Sequence, residues 1–324
     1  MMYSFPNLIC CYLMTFTFII FILVSIRKNK DNSWLDKSST NALKGIAIIT
    51  VMLHHFSGYT SGNSIFKIIF GNIGFLGVSI FLFISGYGLL VSYNKNKEKY
   101  LKSFIKNRLL KIVFIFAIAK LIELVLMQKI NNILDWYTCI IMYYYLVFYF
   151  VYKYVKNDNA KKNITILSFI PYIAICLLLN NDPYWYNTAI CFPLGLVIAD
   201  NKDKVYKIIK NNYVKLFIPL FLIISIMVGL QITGFISEAR WLQFIVPVFF
   251  MGLTITILVK LKLQSKILEF FSKISYQLYL LHQVLFKFLY DIGIHSDIAF
   301  LLAILINIVI AIIIEKILNL IYRR

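Results

Sequence analysis

Charge is what this sequence is short of, and negative charge above all. Only 15% of its 324 residues are charged, with 14 Asp and Glu against 33 Lys and Arg. Soluble domains carry about 25% charged residues, so a conventional solvated surface is excluded. Cysteine is scarce as well. Cys10, Cys11, Cys139, Cys176 and Cys191 all lie within apolar runs. None forms a CxxC pair or has a nearby histidine at metal-ligand spacing, which leaves no basis for a metal site. They read as small apolar residues in helices. No internal repeat, soluble domain or low-complexity segment interrupts the chain.

Apolar residues fill the space, at 60% of the sequence. A membrane span needs about 20 mostly apolar residues. Such runs occur at 5–26, 42–58, 73–93, 112–128, 136–152, 163–180, 184–200, 214–233, 241–259, 274–290 and 298–322. The expected fold class is therefore all-α: a polytopic integral membrane protein with eleven spans. The 42–58 run is short and begins near Lys44. Only Asn181, Asp182 and Pro183 separate two others, so a tight turn is required there. No Lys or Arg precedes the first run, and Arg27, Lys28 and Lys30 follow it, which is unlike a cleaved signal peptide. The polar stretch Asn29–Thr40 reads as a linker, dividing the chain into an N-terminal anchor (1–41) and a main domain (42–324).

The net charge of +19 would suit a nucleic-acid partner in a soluble protein. Here the basic residues sit in short gaps between apolar runs, and alternate gaps carry 26 against three. The positive-inside rule explains this pattern and no nucleic-acid partner is expected. It predicts a plasma-membrane protein with its N-terminus outside and its C-terminus in the cytoplasm.

Ionisable residues within spans are functional suspects because they are costly there. Lys44 and His55 are eleven positions apart, three helical turns, so they share a face about 16 Å apart along the axis. His54 is rotated about 100° away. Imidazole is the usual general base near neutral pH; a packed histidine pair fits the same spacing. Lys120 and Glu123, three apart, are expected to pair with each other. Lys287, Glu315 and Lys316 lie near helix ends, where they could snorkel. The small residues Gly74, Gly77, Ser85, Gly86 and Gly88 point to close helix packing. Lys106, Arg108 and Lys111 form a basic cluster at a helix start, suited to phosphate or to anionic lipid. Ser275, Tyr279 and His282 make a polar stripe, which must face protein or water.

Four stretches together resemble membrane acyltransferase family 3, polytopic enzymes that acylate sugars and cell-envelope glycans. They are Leu43-Lys44-Gly45-Ile46-Ala47 through His55; Gly77-Val78 through Ser85-Gly86-Tyr87; Arg108-Leu-Leu-Lys111; and Ser275-Tyr276 with Tyr279-Leu280-Leu281-His282. Their order and spacing agree over 42–322, which would be the family's ten-helix bundle, with one extra N-terminal helix. Lys111 stands where the family pattern has a second arginine, replacing a bidentate group by a point charge. The resemblance implies an O-acyltransferase, most simply an O-acetyltransferase, with His55 and Lys44 catalytic. Arg108, Lys111 and Lys106 would hold acyl-CoA, and His54, Ser85, Tyr276, Tyr279 and His282 would support the site. The implied donor substrate is acetyl-CoA, with no bound cofactor and no metal, and the implied acceptor is a carbohydrate or polysaccharide. Eleven spans with buried charges would also suit a transporter, although no matching half-repeats are visible.

Overall fold

The computed structural model describes residues 9–29, 34–59, 65–131, 133–235, 242–294 and 297–322. The first four residues of the 5–26 run, and Lys30, Arg240, Arg323 and Arg324 of the charge pattern, lie outside them. Helices follow the apolar runs: α1 (Ile9–Ser25), α2 (Lys37–Ser57), α3 (Ile65–Phe70), α4 (Gly74–Lys95), α5 (Lys97–Phe104), α6 (Leu110–Met127), α7 (Trp136–Tyr154) and α8 (Asp158–Leu167). They continue with α9 (Phe169–Leu178), α10 (Cys191–Asp200), α11 (Lys202–Asn211), α12 (Tyr213–Ile232), α13 (Leu242–Lys260), α14 (Lys266–Lys273), α15 (Ser275–Asp291) and α16 (Asp297–Ile321).

Among the described residues, five helical segments are long and apolar enough to cross a membrane: Phe66–Lys95, Asp158–Leu178, Tyr213–Ile232, Leu242–Lys260 and Leu301–Ile321. The chain is an α-helical membrane protein. Among the other expected spans, 5–26 and 184–200 give the shorter apolar helices Tyr12–Ser25 and Cys191–Asp200, while 42–58, 112–128, 136–152 and 274–290 carry polar groups. Helix α2 carries Lys44, His54 and His55, α6 carries Lys111, Lys120 and Glu123, α7 is rich in tyrosine, and α15 is polar along one side. The 163–180 run lies in the spanning segment Asp158–Leu178, with a break at Ser168 between α8 and α9. The 184–200 run forms a 3-10 turn, Pro183–Trp185, followed by the ten-residue α10. The turn between these runs begins two residues earlier than the sequence marks it, at Leu179, and takes in Asn180, whose φ is +53°.

One short ribbon departs from the all-α pattern. Strand β1 (Ile26–Lys28) pairs antiparallel with β2 (Leu261–Leu263), Ile26 lying opposite Leu263. It fastens the end of α1 to the link between α13 and α14. The stretch read as a polar linker also joins the fold from Trp34 onward. Trp34 and Leu35 are fully buried, and α2 starts at Lys37, five residues before the apolar run. Asp36 caps it, with Ser39 N–H donating to Asp36 Oδ1 over 2.8 Å, and the Lys262 ammonium pairs with the same carboxylate. A good cap starts a helix upstream of its apolar face, which composition alone does not reveal.

Helix α4 is buried along most of its length and packs against α2 and α10. A Cβ on Gly86 would sit 2.1 Å from the Phe192 carbonyl oxygen, and one on Gly195 would sit 2.1 Å from that of Phe83. Facing glycines thus let α4 and α10 touch backbone to backbone. Gly74, Gly77 and Gly86 thus have the packing role expected of the glycine-rich run, whereas a Cβ on Gly88 would meet nothing within 4 Å.

Candidate active site

Lys44 and His55 open into two different cavities. The basic cavity, ≈ 290 Å³, is lined by Lys44, Ser85, Arg108, Lys111, Tyr276 and Tyr279, with Lys273 and Glu315 at its wall. The histidine cavity, ≈ 480 Å³, is lined by His54, His55, Asp135, Trp136, Tyr279 and Gln283. Tyr279 belongs to both, so the two spaces follow one another along the α2 face.

Arg108 reaches the basic cavity through a local change of helix. Between α5 and α6 the chain makes one π turn, Ile105–Leu109, and such widened turns re-aim side chains at functional positions. The Arg108 guanidinium lies over the Tyr100 ring, 5.9 Å from its centroid. Lys111 Nζ is 3.7 Å from Glu315 Oε1, while Gln277 Nε2 donates to Glu315 Oε2 over 2.9 Å. Glu315, expected at a helix end in the membrane surface, instead faces this cavity and offsets Lys111. Lys106 is not brought to the cavity. It is exposed and lines a shallow hollow with Lys99 and Lys102.

In the histidine cavity the three imidazoles have different partners. A carbonyl can only accept, so His54 Nδ1–H donates to Phe70 O over 2.8 Å. Its ring is also held by Gly74, where a Cβ would come within 2.3 Å of it. His55 sits between two neighbours, with ring centroids 4.9 Å from His54 and 5.0 Å from His282. His282 is buried behind it and donates from Nδ1 to Leu278 O over 3.0 Å. Its Nε2 therefore carries a lone pair, and that atom has no hydrogen-bond partner.

The tyrosines tie α15 to the start of α7. Tyr279 Oη donates to Asp135 Oδ1 over 3.0 Å. Asp135 Oδ2 accepts from the N–H and hydroxyl of Thr138, each over 2.8 Å. The Thr138 hydroxyl in turn meets Tyr276 Oη at 2.9 Å. Of the Ser275–Tyr279–His282 stripe, Ser275 and Tyr279 line the basic cavity, whereas His282 backs His55. Lys120 and Glu123 pair as their spacing predicts, at 2.7 Å.

Asp135, Lys273, Gln283 and Glu315 as a cavity residue were missed from sequence. Two signals were present. Asp135 stands three residues before Thr138, an N-cap pattern, and Gln283 and Lys287 continue from Tyr279 at four-residue spacing.

A family model described as an acyltransferase domain, that of acyltransferase family 3, matches residues 32–316. The match takes in Asp36 and every helix that lines the two cavities. No curated protein and no solved structure matches the chain.

Proposed function

The chain belongs to acyltransferase family 3, and from that premise we propose that it is a membrane-embedded O-acyltransferase that moves an acyl group from acyl-CoA to a carbohydrate hydroxyl. The observation that carries this reading is the pair of cavities on one face of α2, one cationic and one histidine-lined, meeting at Tyr279. Acyl-CoA is a poly-anion with a thioester at the far end of a long arm. The basic cavity suits its phosphates, which Arg108 can grip with its planar fork and Lys44 and Lys273 can attract as point charges. The thioester end then extends toward Tyr279 and His55.

The acceptor hydroxyl occupies the histidine cavity. His55 removes its proton as the oxygen attacks the thioester carbonyl. The C–O ester bond forms, the C–S bond breaks, and the electron pair leaves with the coenzyme A sulfur, which takes up the proton from His55. His282, its ring centroid 5.0 Å from that of His55, packs beside the base and limits the orientations its ring can take. Tyr276, Tyr279 and Asp135 fix the wall between the two substrates. Acetyl-CoA is the simplest donor, because among the described residues no lysine or arginine lines the histidine cavity to mark a place for a second carboxylate. In this reading the basic cavity faces the cytoplasm and the histidine cavity the outside, a sidedness that the positive-inside pattern supports. That sidedness explains why a simple transfer is built through a membrane: the donor is inside and the glycan outside.

The test is the ester content of the cell-surface glycan, read by NMR, in cells that carry the wild-type protein, the His55→Ala variant at equal membrane abundance, or neither. An acyl signal present only with the wild type supports the proposal. Three identical spectra overturn surface-glycan acylation.

A further inference from the structure

A third cavity, ≈ 360 Å³, adjoins the histidine cavity and takes no part in the transfer described above. The two share Asp135, Trp136, Tyr184, Tyr279 and Gln283 as a common wall. Both volumes fall in the range of small-ligand sites, about 300–1,000 Å³. The lining of the third is aromatic and polar together. Trp136, Tyr184 and Trp185 supply rings, with the first two 5.9 Å apart at 68°. Gln283 and Lys287, one turn apart on α15, supply donors.

The charges in this cavity divide into used and unused. Lys120 is paired with Glu123, whose carboxylate also accepts from the N–H and the side-chain amide of Asn131, over 3.0 and 3.1 Å. That group is satisfied and fixes the loop after α6. Asp135 is occupied by Thr138 and Tyr279. Among the described residues, no carboxylate pairs with Lys287. Rings that cover apolar C–H faces, beside amide and ammonium donors for hydroxyls, are the chemistry that recognises a pyranose. A lipid chain would suit a different place, the groove lined by Leu13, Met14, Phe18, Ile49 and Leu53.

We propose that the third cavity is a second acceptor subsite, which holds the sugar unit next to the one whose hydroxyl meets His55. The acceptor is then an oligosaccharide or polysaccharide rather than a free monosaccharide. This rests on the carbohydrate reading above and names the length of chain that reading requires. Trp185 stacks on the neighbouring unit, and Lys287 and Gln283 bind its hydroxyls. Binding energy gained there is used at the reacting centre, so it raises kcat/KM and not affinity alone.

The purified full chain in lipid nanodiscs is given acetyl-CoA and mono-, di- and tetrasaccharides released by mild acid from the surface glycan found esterified by NMR. With two subsites, kcat/KM rises by about tenfold from one unit to two and then levels off. Trp185→Leu and Lys287→Met each lower the disaccharide-to-monosaccharide ratio, by about fivefold for the lost stacking. The length dependence is read on the wild-type protein, so it stands even where a variant fails to fold. Equal kcat/KM at every length, or a length gain that survives in both variants, overturns the subsite while leaving carbohydrate acylation in place. No ester on any length overturns the carbohydrate reading itself.

Discussion

In the proposed mechanism His55 is the residue on which the chemistry turns, and its surroundings set what each neighbour contributes. His55→Ala removes the base and is expected to lower kcat by about 10²–10⁴-fold with the KM for acyl-CoA little changed, as steady-state kinetics on purified protein would register. His282→Ala is a subtler case. If its ring orients His55, kcat falls and the pH profile of kcat shifts while the thermal midpoint stays near that of the wild type; a loss of stability with an unchanged pH profile would make His282 a packing residue instead. In the other cavity, Arg108→Ala is expected to raise the KM for acyl-CoA by about tenfold, the scale of one lost charged hydrogen bond. Lys106→Ala should not change it, since Lys106 faces away from the cavity. Equal effects of the two would contradict the placement of the donor. The sequence made Lys44 and His55 legible as a pair because eleven residues is three turns of one helix. It could not separate Arg108 from Lys106, because a π turn has no sequence signature at this length. Nor could it show that Glu315, from the last helix, comes back to meet Lys111.

Helices reach these positions through caps and close contacts more than through apolar pattern. At Asp36, burial pushes the carboxyl up, but the Lys262 ammonium and the Ser39 N–H outweigh it and hold it below its ordinary value of 3.8. A lowered folded value contributes stability that is full above the unfolded value and disappears as pH falls through the folded one. Asp36→Asn should therefore lower the melting midpoint at neutral pH, and the gap from the wild type should close as pH falls below 3.8, followed by tryptophan fluorescence in detergent. A gap that stays constant with pH would mean the cap acts without its charge. At the α4–α10 contact, Gly86→Leu forces side-chain atoms against the Phe192 backbone. Overpacking of this kind costs about 1–3 kcal/mol or more and should lower the melting midpoint. The spans of α4, α12, α13 and α16 are plain in the apolar runs. The cavity-lining helices α2, α6, α7 and α15 are the ones that dilute that signal, because a membrane helix that lines a cavity must carry polar groups and so looks less like a span.

At the scale of the molecule, the bundle encloses the basic and histidine cavities, the proposed donor and acceptor spaces, which no single stretch of sequence contains. The basic cavity draws on α2, α4, the α5–α6 junction, α6, α7, α14, α15 and α16, and the histidine cavity adds the loop before α4, the turn after α9, α12 and α13. Motif order pointed to the participants; only their packing shows that Tyr279 stands where the two spaces meet. The proposed work of the whole is vectorial, with donor on one side of the membrane and acceptor on the other. Proteoliposomes test this directly: a membrane-impermeant glycan acceptor is sealed inside and acetyl-CoA is supplied only outside. Ester on the enclosed acceptor with the wild-type protein, and none with His55→Ala, is the predicted result. Ester that forms only when donor and acceptor share one compartment would contradict transfer across the bundle.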